Sequence, residues 1–225
     1  YQDMRQRTEQ SGIAPRELDW LLSWVSDLDS LTLRLGTLRQ LPEVALKLSL
    51  QELSQLWQQR LTDRVPVQYL VGQTAWRNFT LQVSPSVLIP RPETELMIDR
   101  VVEAVEESPQ KADLKRGTWV DMGTGSGAIA LALADAFPEA HIVAVDQSAD
   151  ALTVAQQNAL SYTMENRIAF YQGRWFEPFD TDDSLKGCFL SGMVSNPPYI
   201  PTEILSGLQP EVVDHEPVTA LDGGK

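Results

Sequence analysis

The stretch TWVDMGTGSGAIALALADAF, residues 118–137, contains the pattern that decides the fold. It begins with a short apolar run, continues through a loop with glycine at every second position, and ends in a segment rich in alanine and leucine. This order predicts a buried strand, a tight loop and a helix. Such a loop directs backbone N–H groups and the positive end of the helix at a ligand, so it predicts a site for a nucleoside cofactor.

Strands and helices are predicted to alternate after this loop. Residues 141–145, 167–171 and 189–195 are apolar enough to form strands, and residues 149–160 are predicted to form a helix. Strands that are apolar on both faces are typical of a parallel sheet covered by helices. The sequence therefore predicts a doubly wound α/β domain.

Two carboxylates occupy predicted strand ends in this domain. Asp121 immediately precedes the glycine loop, and Asp146 ends the next strand. A carboxylate at residue 121 repels a pyrophosphate but suits a cofactor that carries an ammonium and a sulfonium, which favours S-adenosylmethionine over a nicotinamide dinucleotide. The carboxylate of Asp146 is expected to accept hydrogen bonds from ribose hydroxyls.

The tetrapeptide Asn196-Pro197-Pro198-Tyr199 follows the last predicted strand. Its prolines fix the backbone and supply no N–H donors, so carbonyl oxygens remain free to accept. The side-chain oxygen of Asn196 and the carbonyl of Pro197 can each accept one hydrogen of a planar NH2 group, while Tyr199 offers an aromatic face. The tetrapeptide therefore predicts methyl transfer to a conjugated nitrogen, with Asn196, Pro197 and Tyr199 as its catalytic residues.

The composition of the chain favours some substrates of such a site over others. An adenine base of DNA or RNA is the alternative to an amide, but the chain has 18 basic against 31 acidic residues and a net charge of −13, which disfavours tight binding to nucleic acid. The single cysteine, Cys188, excludes an internal disulfide framework and a thiolate metal site. A binding module without catalysis is disfavoured by the intact loop and by Asn196. The chain has no long uninterrupted apolar run, so a cytoplasmic location is expected.

Three parts of the chain are distinguished by their patterns. Residues 1–64 are predicted to form a helical domain, in which one helix has an apolar face and another follows Pro42 with an apolar face from Leu46 to Trp57. The apolar face of the first of these helices consists of Leu18, Leu21, Leu22 and Val25. Residues 65–92 are expected to be a linker with a β-hairpin, and residues 93–225 to be the α/β domain.

The sequence allows more specific predictions for the linker and for the end of the chain. Residues 68–71 and 79–83 are the predicted hairpin strands, and the prolines at 90 and 92 predict a rigid connection, either a plain linker or a wall of the active site. A helix is expected to begin near Pro92. Residues 222–225 are predicted to form a turn, and the chain is expected to be a fragment.

Several of these segments together resemble a known family. Residues 88–95, 121–127, 196–200 and 216–221 are similar to motifs of the protein-(glutamine-N5) methyltransferases that modify peptide chain release factors, the HemK/PrmC family. The resemblance extends over essentially the whole chain, including the helical domain and the hairpin. Asn-Pro-Pro-Tyr alone is shared with adenine-N6 methyltransferases, whereas its combination with residues 88–95 is specific to this family.

The resemblance implies a class I, Rossmann-like methyltransferase that uses S-adenosylmethionine to methylate the glutamine of a Gly-Gly-Gln loop in a release factor. The helical domain would recognise this protein substrate, and a monomer that binds neither nucleic acid nor membrane is expected. The implied cofactor-binding residues are Gly123, Thr124, Gly125, Ser126, Gly127, Asp146, Trp175 and Asn196. The implied substrate-binding residues are Asn196, Pro197, Pro198 and Tyr199.

The chain departs from the family pattern in two places. Many members have an acidic residue before the tryptophan that corresponds to Trp175, where this chain has Arg174. An acceptor for the adenine amine is therefore expected to be missing or to come from elsewhere. The family also continues well past Gly224, so the last strands of its usual seven-stranded sheet are expected to be missing from this chain.

Overall fold

A computed structural model describes residues 1–41 and 43–225, and the chain divides into two compact units, Tyr1–Gly72 and Gln73–Lys225. The division falls inside the segment 65–92 that the sequence marks as a linker. Pro42, near which a helix was predicted to begin, lies outside the described residues. Along the described parts of the chain, no helix is both long and apolar enough to span a membrane.

The first unit is built from helices around one apolar core. The predicted apolar face of residues 18–25 is confirmed, since all four of its members are buried. Trp57 reaches the same core and donates from Nε1 to Oγ1 of Thr8 at 3.2 Å, so its polar atom is satisfied although both side chains are buried. The helices are α1 (Gln2–Ser11), α2 (Pro15–Val25), α3 (Ser30–Leu35), a 3₁₀ turn (Thr37–Gln40), α4 (Leu50–Thr62) and α5 (Val67–Val71).

Helix α4 begins later than its apolar pattern predicts. Ser49 caps it: its side chain accepts from the N–H of Glu52, and the Glu52 carboxylate accepts from the N–H of Ser49. This reciprocal pair satisfies two of the N–H groups that every helix start leaves open. Leu50, which was expected on the apolar face, lies in the first turn and is 74% exposed. The capping signature at residues 49–52 marks the start better than the leucine spacing does.

The prediction of a strand at residues 68–71 is wrong, because this stretch lies within helix α5. Pro66 stands at its N-cap, and Gly72 ends it with a φ of 74° while donating its N–H to the carbonyl of Gln68. The residues at the two ends therefore favour a helix, although the side chains between them are β-prone. The predicted hairpin does exist, but its first strand begins after Gly72.

The second unit contains the hairpin and the α/β domain. Its strands are β1 (Gln73–Trp76), β2 (Phe79–Gln82), β3 (Thr118–Met122), β4 (His141–Asp146), β5 (Ile168–Gln172), β6 (Leu190–Ser195), β7 (Ile200–Pro201) and β8 (Asp222–Gly224). Its α-helices are α6 (Glu95–Glu107), α7 (Lys111–Leu114), α8 (Ala128–Ala136), α9 (Ala149–Ser161), α10 (Glu177–Thr181) and α11 (Pro210–Val213). Short 3₁₀ turns cover Pro92–Thr94, Thr202–Gly207 and Val218–Ala220.

A parallel sheet with the order β5-β4-β3-β6 forms the centre of this unit and confirms the predicted α/β fold. Successive residues of its inner strands face different cores, because side chains alternate along a strand. Ile142 and Ala144 belong to one apolar cluster, with α6 and α8, whereas Val143 and Val145 belong to another, with Leu185. Apolar contacts on both faces explain why these strands read as continuous apolar runs.

The last residues form a strand rather than the predicted turn. β8 pairs in parallel with β7, and the N–H of Ile200 donates to the carbonyl of Leu221 at 3.0 Å. Thr202 reinforces the pair by donating from its hydroxyl to the carboxylate of Asp222 at 2.7 Å. This short pair lies directly after residues 196–199, so it bears on the site described below.

A buried asparagine joins the hairpin to the glycine loop. Asn158 on α9 is fully buried; its Oδ1 accepts from the N–H of Gln82 at 2.7 Å, and its Nδ2 donates to the carbonyls of Gln82 and Ser126 at 3.0 and 2.8 Å. It therefore satisfies both backbone groups of a strand residue and one carbonyl of the loop. No short-range pattern in the sequence indicates this role.

Replacing Asn158 by alanine is expected to destabilise the protein by about 2–4 kcal/mol, because three backbone groups that bond to this buried side chain lose their partner. Gln156→Ala is the control, since that side chain lies exposed on the same helix. Denaturant unfolding monitored by tryptophan fluorescence measures both changes. Equal stability losses for the two variants would contradict the structural role of Asn158.

Candidate active site

A cavity of about 520 Å³ lies in the second unit, where the loops that follow the parallel strands meet. Ligands in open α/β sheets bind at this edge. Most of the residues predicted for the site contribute to the lining, and three do not: Asp121, Gly127 and Tyr199. The predicted residues that line the cavity are Gly123, Thr124, Gly125, Ser126, Asp146, Trp175, Asn196, Pro197 and Pro198.

Strand pairing brings the two main motifs together. Met122, the last residue of β3, is the register partner of Val145 on β4 and of Ser195 on β6. The hydroxyl of Ser195 also donates to the carbonyl of Met122 at 2.7 Å. The glycine loop after Met122 and the tetrapeptide after Ser195 therefore leave the sheet side by side.

The glycine loop is held by the end of strand β4. The N–H groups of Gly123 and Thr124 both donate to the carbonyl of Val145 at 2.9 Å, and the N–H of Gly125 donates to Oδ2 of Asp146 at 2.8 Å. Gly125 has a φ of 53°, which is the left-handed region that favours glycine. A Cβ at Gly123 or Gly125 would meet no atom within 4 Å, so the space above the loop is open to a ligand.

Gly127 has a packing role instead of the cavity contact that was expected. It has a φ of 81°, and a Cβ at this position would lie 3.1 Å from Cβ of Ala155. Glycine therefore lets the start of α8 approach α9 closely. Gly127 is therefore not among the residues that line the cavity.

Asp121 supports the loop from below and does not line the cavity. Its side chain is fully buried, and Oδ2 accepts from Oγ1 of Thr124 at 2.5 Å and from the N–H of Ala130 at 3.0 Å. Oδ1 receives no hydrogen bond from the residues that the structure describes. Asp121 was predicted to be a cofactor-binding residue; in the structure this carboxyl connects the loop to the first turn of α8.

Burial governs the ionisation of Asp121. Burial and, to a smaller extent, the nearby charge of Asp146 raise the pKa of this carboxyl to about 7, because the hydrogen bonds from Thr124 and Ala130 only partly oppose these effects. The carboxyl thus changes its charge near neutral pH, far above the usual range for aspartate.

Trp175 lines the cavity from the loop after β5. Its φ of 50° is unusual for a residue other than glycine, and its side chain is 59% exposed. Arg174 also lines the cavity, and its N–H donates to Oε2 of Glu177 at 2.8 Å. The residue before the tryptophan is thus basic, and the acidic side chain nearest in sequence, Glu177, follows the tryptophan and does not line the cavity.

Tyr199 differs from the other members of the tetrapeptide, because its side chain is 74% exposed and does not line the cavity. Its ring faces solvent beside the lining residues Asn196 to Pro198. The aromatic face predicted for Tyr199 therefore lies at the surface beside the cavity and not in its lining.

The lining also includes segments in which the sequence analysis named no individual site residue. Val87, Leu88, Pro90 and Arg91 contribute to the lining, so the proline-rich connection forms part of the wall of this cavity. Trp76, residues 217–220, Asp222 and Gly223 also line it. The only sequence signal for residues 217–220 was their place in a family motif, and Asp222 and Gly223 belong to the predicted turn.

The residues present fit S-adenosylmethionine. Each carboxylate oxygen of Asp146 accepts one backbone hydrogen bond, from Gly125 or from Ser148, and retains capacity to accept from a ribose hydroxyl. The indole of Trp175 offers a flat apolar face for a base. The open backbone of Gly123 and Gly125 allows close approach of a ligand.

Comparison with known proteins identifies similar sequences over the whole chain. A family described as "Methyltransferase domain" matches residues 113–205. The release factor glutamine methyltransferase of Synechocystis sp. is 50% identical over 224 residues, which cover 100% of this chain and 73% of that protein. Proteins of the same name from Thermosynechococcus vestitus and Gloeobacter violaceus are 49% and 42% identical, over 93% and 92% of this chain and 68% and 67% of theirs. Among solved structures, the hMettl16 catalytic domain with a 3′UTR hairpin aligns at 14% identity and a TM-score of 0.45, over 81% of this chain and 60% of that one.

Substituting Asp121 by asparagine is expected to change the pH dependence of stability. The pKa of Asp121 is about 7 in the folded chain, and its ordinary value is 3.8. Between these two pH values the folded chain holds a proton on Asp121 that the unfolded chain has lost. The free energy of unfolding that Asp121 contributes therefore falls as the pH rises from about 4 to about 7. Asparagine removes this titration, so the variant should gain on the parent protein across that window, by at most roughly 4 kcal/mol. Unfolding free energies of both proteins at a series of pH values measure the difference. A difference that does not change with pH would refute the assignment.

Proposed function

This chain belongs to the release factor glutamine methyltransferases, and we propose that it transfers a methyl group from S-adenosylmethionine to the side-chain amide nitrogen of a glutamine in a release factor. The proposed acceptor is the glutamine of a Gly-Gly-Gln loop. Because release factors act in translation, the proposal implies a cytoplasmic enzyme. A single chain can carry the reaction, since the lining residues lie between Trp76 and Gly223 of one chain.

The observation that carries the proposal is a pair of unengaged acceptors beside the glycine loop. Asn196 and Pro197 both line the cavity. Within the described parts of the chain, the side chain of Asn196 makes no hydrogen bond, and the carbonyl of Pro197 accepts none. Polar groups at such a site are usually satisfied, so these oxygens are available to a ligand that brings two donors.

A primary carboxamide matches these two acceptors. Its NH2 group is planar and carries two hydrogens, one for the Asn196 side-chain oxygen and one for the Pro197 carbonyl. The amide nitrogen is a poor nucleophile, because its lone pair is delocalised into the carbonyl. Acceptors fixed in place before reaction stabilise the positive charge that grows on this NH2 group during transfer. No strong base is required before attack, which agrees with a chain that has only two histidines.

The cofactor is assigned to the residues on the other strand ends. When bound, S-adenosylmethionine supplies an electrophilic methyl group. Gly123 and Gly125 would hold it through the open loop backbone, Asp146 would accept from its ribose hydroxyls, and Trp175 would stack on its base. We propose Asp121 as the buried support of this loop and not as a direct ligand.

Recognition of the protein substrate is proposed to involve exposed groups. The ring of Tyr199 lies at the surface beside the lining residues, where it can contact a loop of a protein substrate. The helical unit presents exposed leucines, including Leu31 and Leu35, which are suited to contacts with another protein. We propose that this unit recognises the release factor.

Label transfer tests the proposed activity. Radiolabelled S-adenosylmethionine is offered with a release factor, with its variant in which the Gly-Gly-Gln glutamine is alanine, and with adenine-containing DNA and RNA oligomers. Label is expected on the unsubstituted factor alone. Label on an oligomer, or label on the factor that survives the glutamine substitution, would contradict the proposal.

Asn196→Ala is expected to reduce turnover far more than cofactor affinity. One fixed acceptor at such a site contributes about 3–4 kcal/mol of barrier lowering, so kcat should fall by roughly 10²- to 10³-fold. Steady-state kinetics with the release factor and calorimetry with sinefungin separate the two effects. Asn166→Ala, on an exposed loop, is the control and should match the parent protein. A variant at residue 196 with unchanged turnover would rule out the acceptor role.

A further inference from the structure

The segment from Glu216 to Gly224, here called the return segment, contributes much of the cavity lining that no catalytic assignment explains. Its lining residues are Pro217, Val218, Thr219, Ala220, Asp222 and Gly223. It lies far along the chain from the glycine loop, and its two ends make contacts of unusual kinds. One end is held by a buried ion pair and the other by a close backbone contact.

Glu216 anchors the first end. Its side chain is only 2% exposed, and its Oε2 accepts from a guanidinium nitrogen of Arg91 at 2.6 Å. The two residues are 125 positions apart in the sequence. Arg91 itself lines the cavity, and its carbonyl accepts from the indole N–H of the buried Trp76 at 3.0 Å. Arg91 is therefore fixed through both its backbone and its side chain.

The energetics of this pair point to a geometric role. Burial raises the pKa of the Glu216 carboxyl, and the charge and hydrogen bond of Arg91 oppose this effect. A buried ion pair adds little net stability, because desolvation offsets the attraction, but removing one partner leaves an uncompensated buried charge. What such a pair does impose is a fixed relative position of the two segments that it joins.

Gly223 holds the second end against the tetrapeptide. A Cβ at this position would lie 2.8 Å from Cα of Tyr199, 2.9 Å from its carbonyl carbon and 3.0 Å from the carbonyl oxygen of Pro198. All three are backbone atoms, so no flexible side chain can move aside. The pairing of β8 with β7, which begins at Ile200, keeps this contact in place. Any larger residue at position 223 must displace the backbone that follows Asn196 and Pro197.

We propose that the return segment is the positioning element of the substrate site, with Gly223 and Glu216 as positioning residues that set where the oxygens of Asn196 and Pro197 stand. This inference rests on the proposed transfer to a glutamine amide. Gly223 determines the place of the tetrapeptide backbone, and Glu216 determines the place of the return segment through Arg91. Neither residue needs to touch the amide.

Gly223→Ala tests the proposal against Gly207→Ala. Gly207 is exposed at the end of a 3₁₀ turn, and a Cβ there would meet nothing within 4 Å. For each variant, kcat and KM with the release factor, the Kd of sinefungin and the unfolding midpoint are measured. Gly223→Ala is expected to lower kcat by roughly 10- to 100-fold, because a displacement of about 1 Å in a catalytic group has effects of this size. The Kd of sinefungin should stay near that of the parent protein, and Gly207→Ala should match the parent in every measurement.

Two results would overturn the proposal: a parent-like kcat in Gly223→Ala, or a loss of sinefungin affinity as large as the loss of kcat, which would indicate general damage to packing. If Gly223→Ala does not fold, Glu216→Gln decides by the same criteria, since it keeps the size of the side chain and removes its charge. A parent protein that labels no release factor would instead refute the proposed function, and this outcome is distinct because it needs no variant.

Discussion

Parallel pairing of β3 with both β4 and β6 determines where the glycine loop, Asp146 and Asn196 lie. Because Met122 is in register with Val145 and with Ser195, three strand ends meet at one edge of the sheet. The glycine loop, Asp146 and Asn196 each come directly after one of these ends. A shift of one residue in either pairing would turn each strand over, exchanging its two buried faces, and would separate the loop from the tetrapeptide.

The glycine loop is supported by the buried carboxyl of Asp121, whose burial alone is unfavourable. A fully buried carboxyl without a cationic partner is unfavourable, and its raised pKa expresses that cost. Asp121 accepts from Thr124 within the loop and from Ala130 on the helix that follows, so it fixes both sides of the turn at once. Its contribution to the site is the shape of the loop backbone, to which a cofactor would bind.

Local patterns predicted the central domain well because its determinants are local. The apolar runs of β3 and β4, the glycine loop and the helix at residues 128–136 each lie within a few neighbouring residues. Where packing or end groups decide, the same patterns misled: residues 68–71 are β-prone but form a helix between Pro66 and Gly72. The tetrapeptide predicted an aromatic face at Tyr199, but nothing in the tetrapeptide indicates that this side chain is 74% exposed.

The cofactor side and the substrate side of the site also differ in how far local sequence patterns predict them. Residues that suit the cofactor stand in short loops directly after strands, so a motif can identify them. The cavity that Asn196 lines also includes residues of the proline-rich connection and of the return segment, which are far apart in the sequence. Their arrangement depends on single tertiary contacts, such as the ion pair between Arg91 and Glu216, that no spacing rule contains. A flat amide with two donors is selected only if these segments hold the two acceptor oxygens at the right separation, so the specificity of this site depends on packing as much as on the tetrapeptide itself.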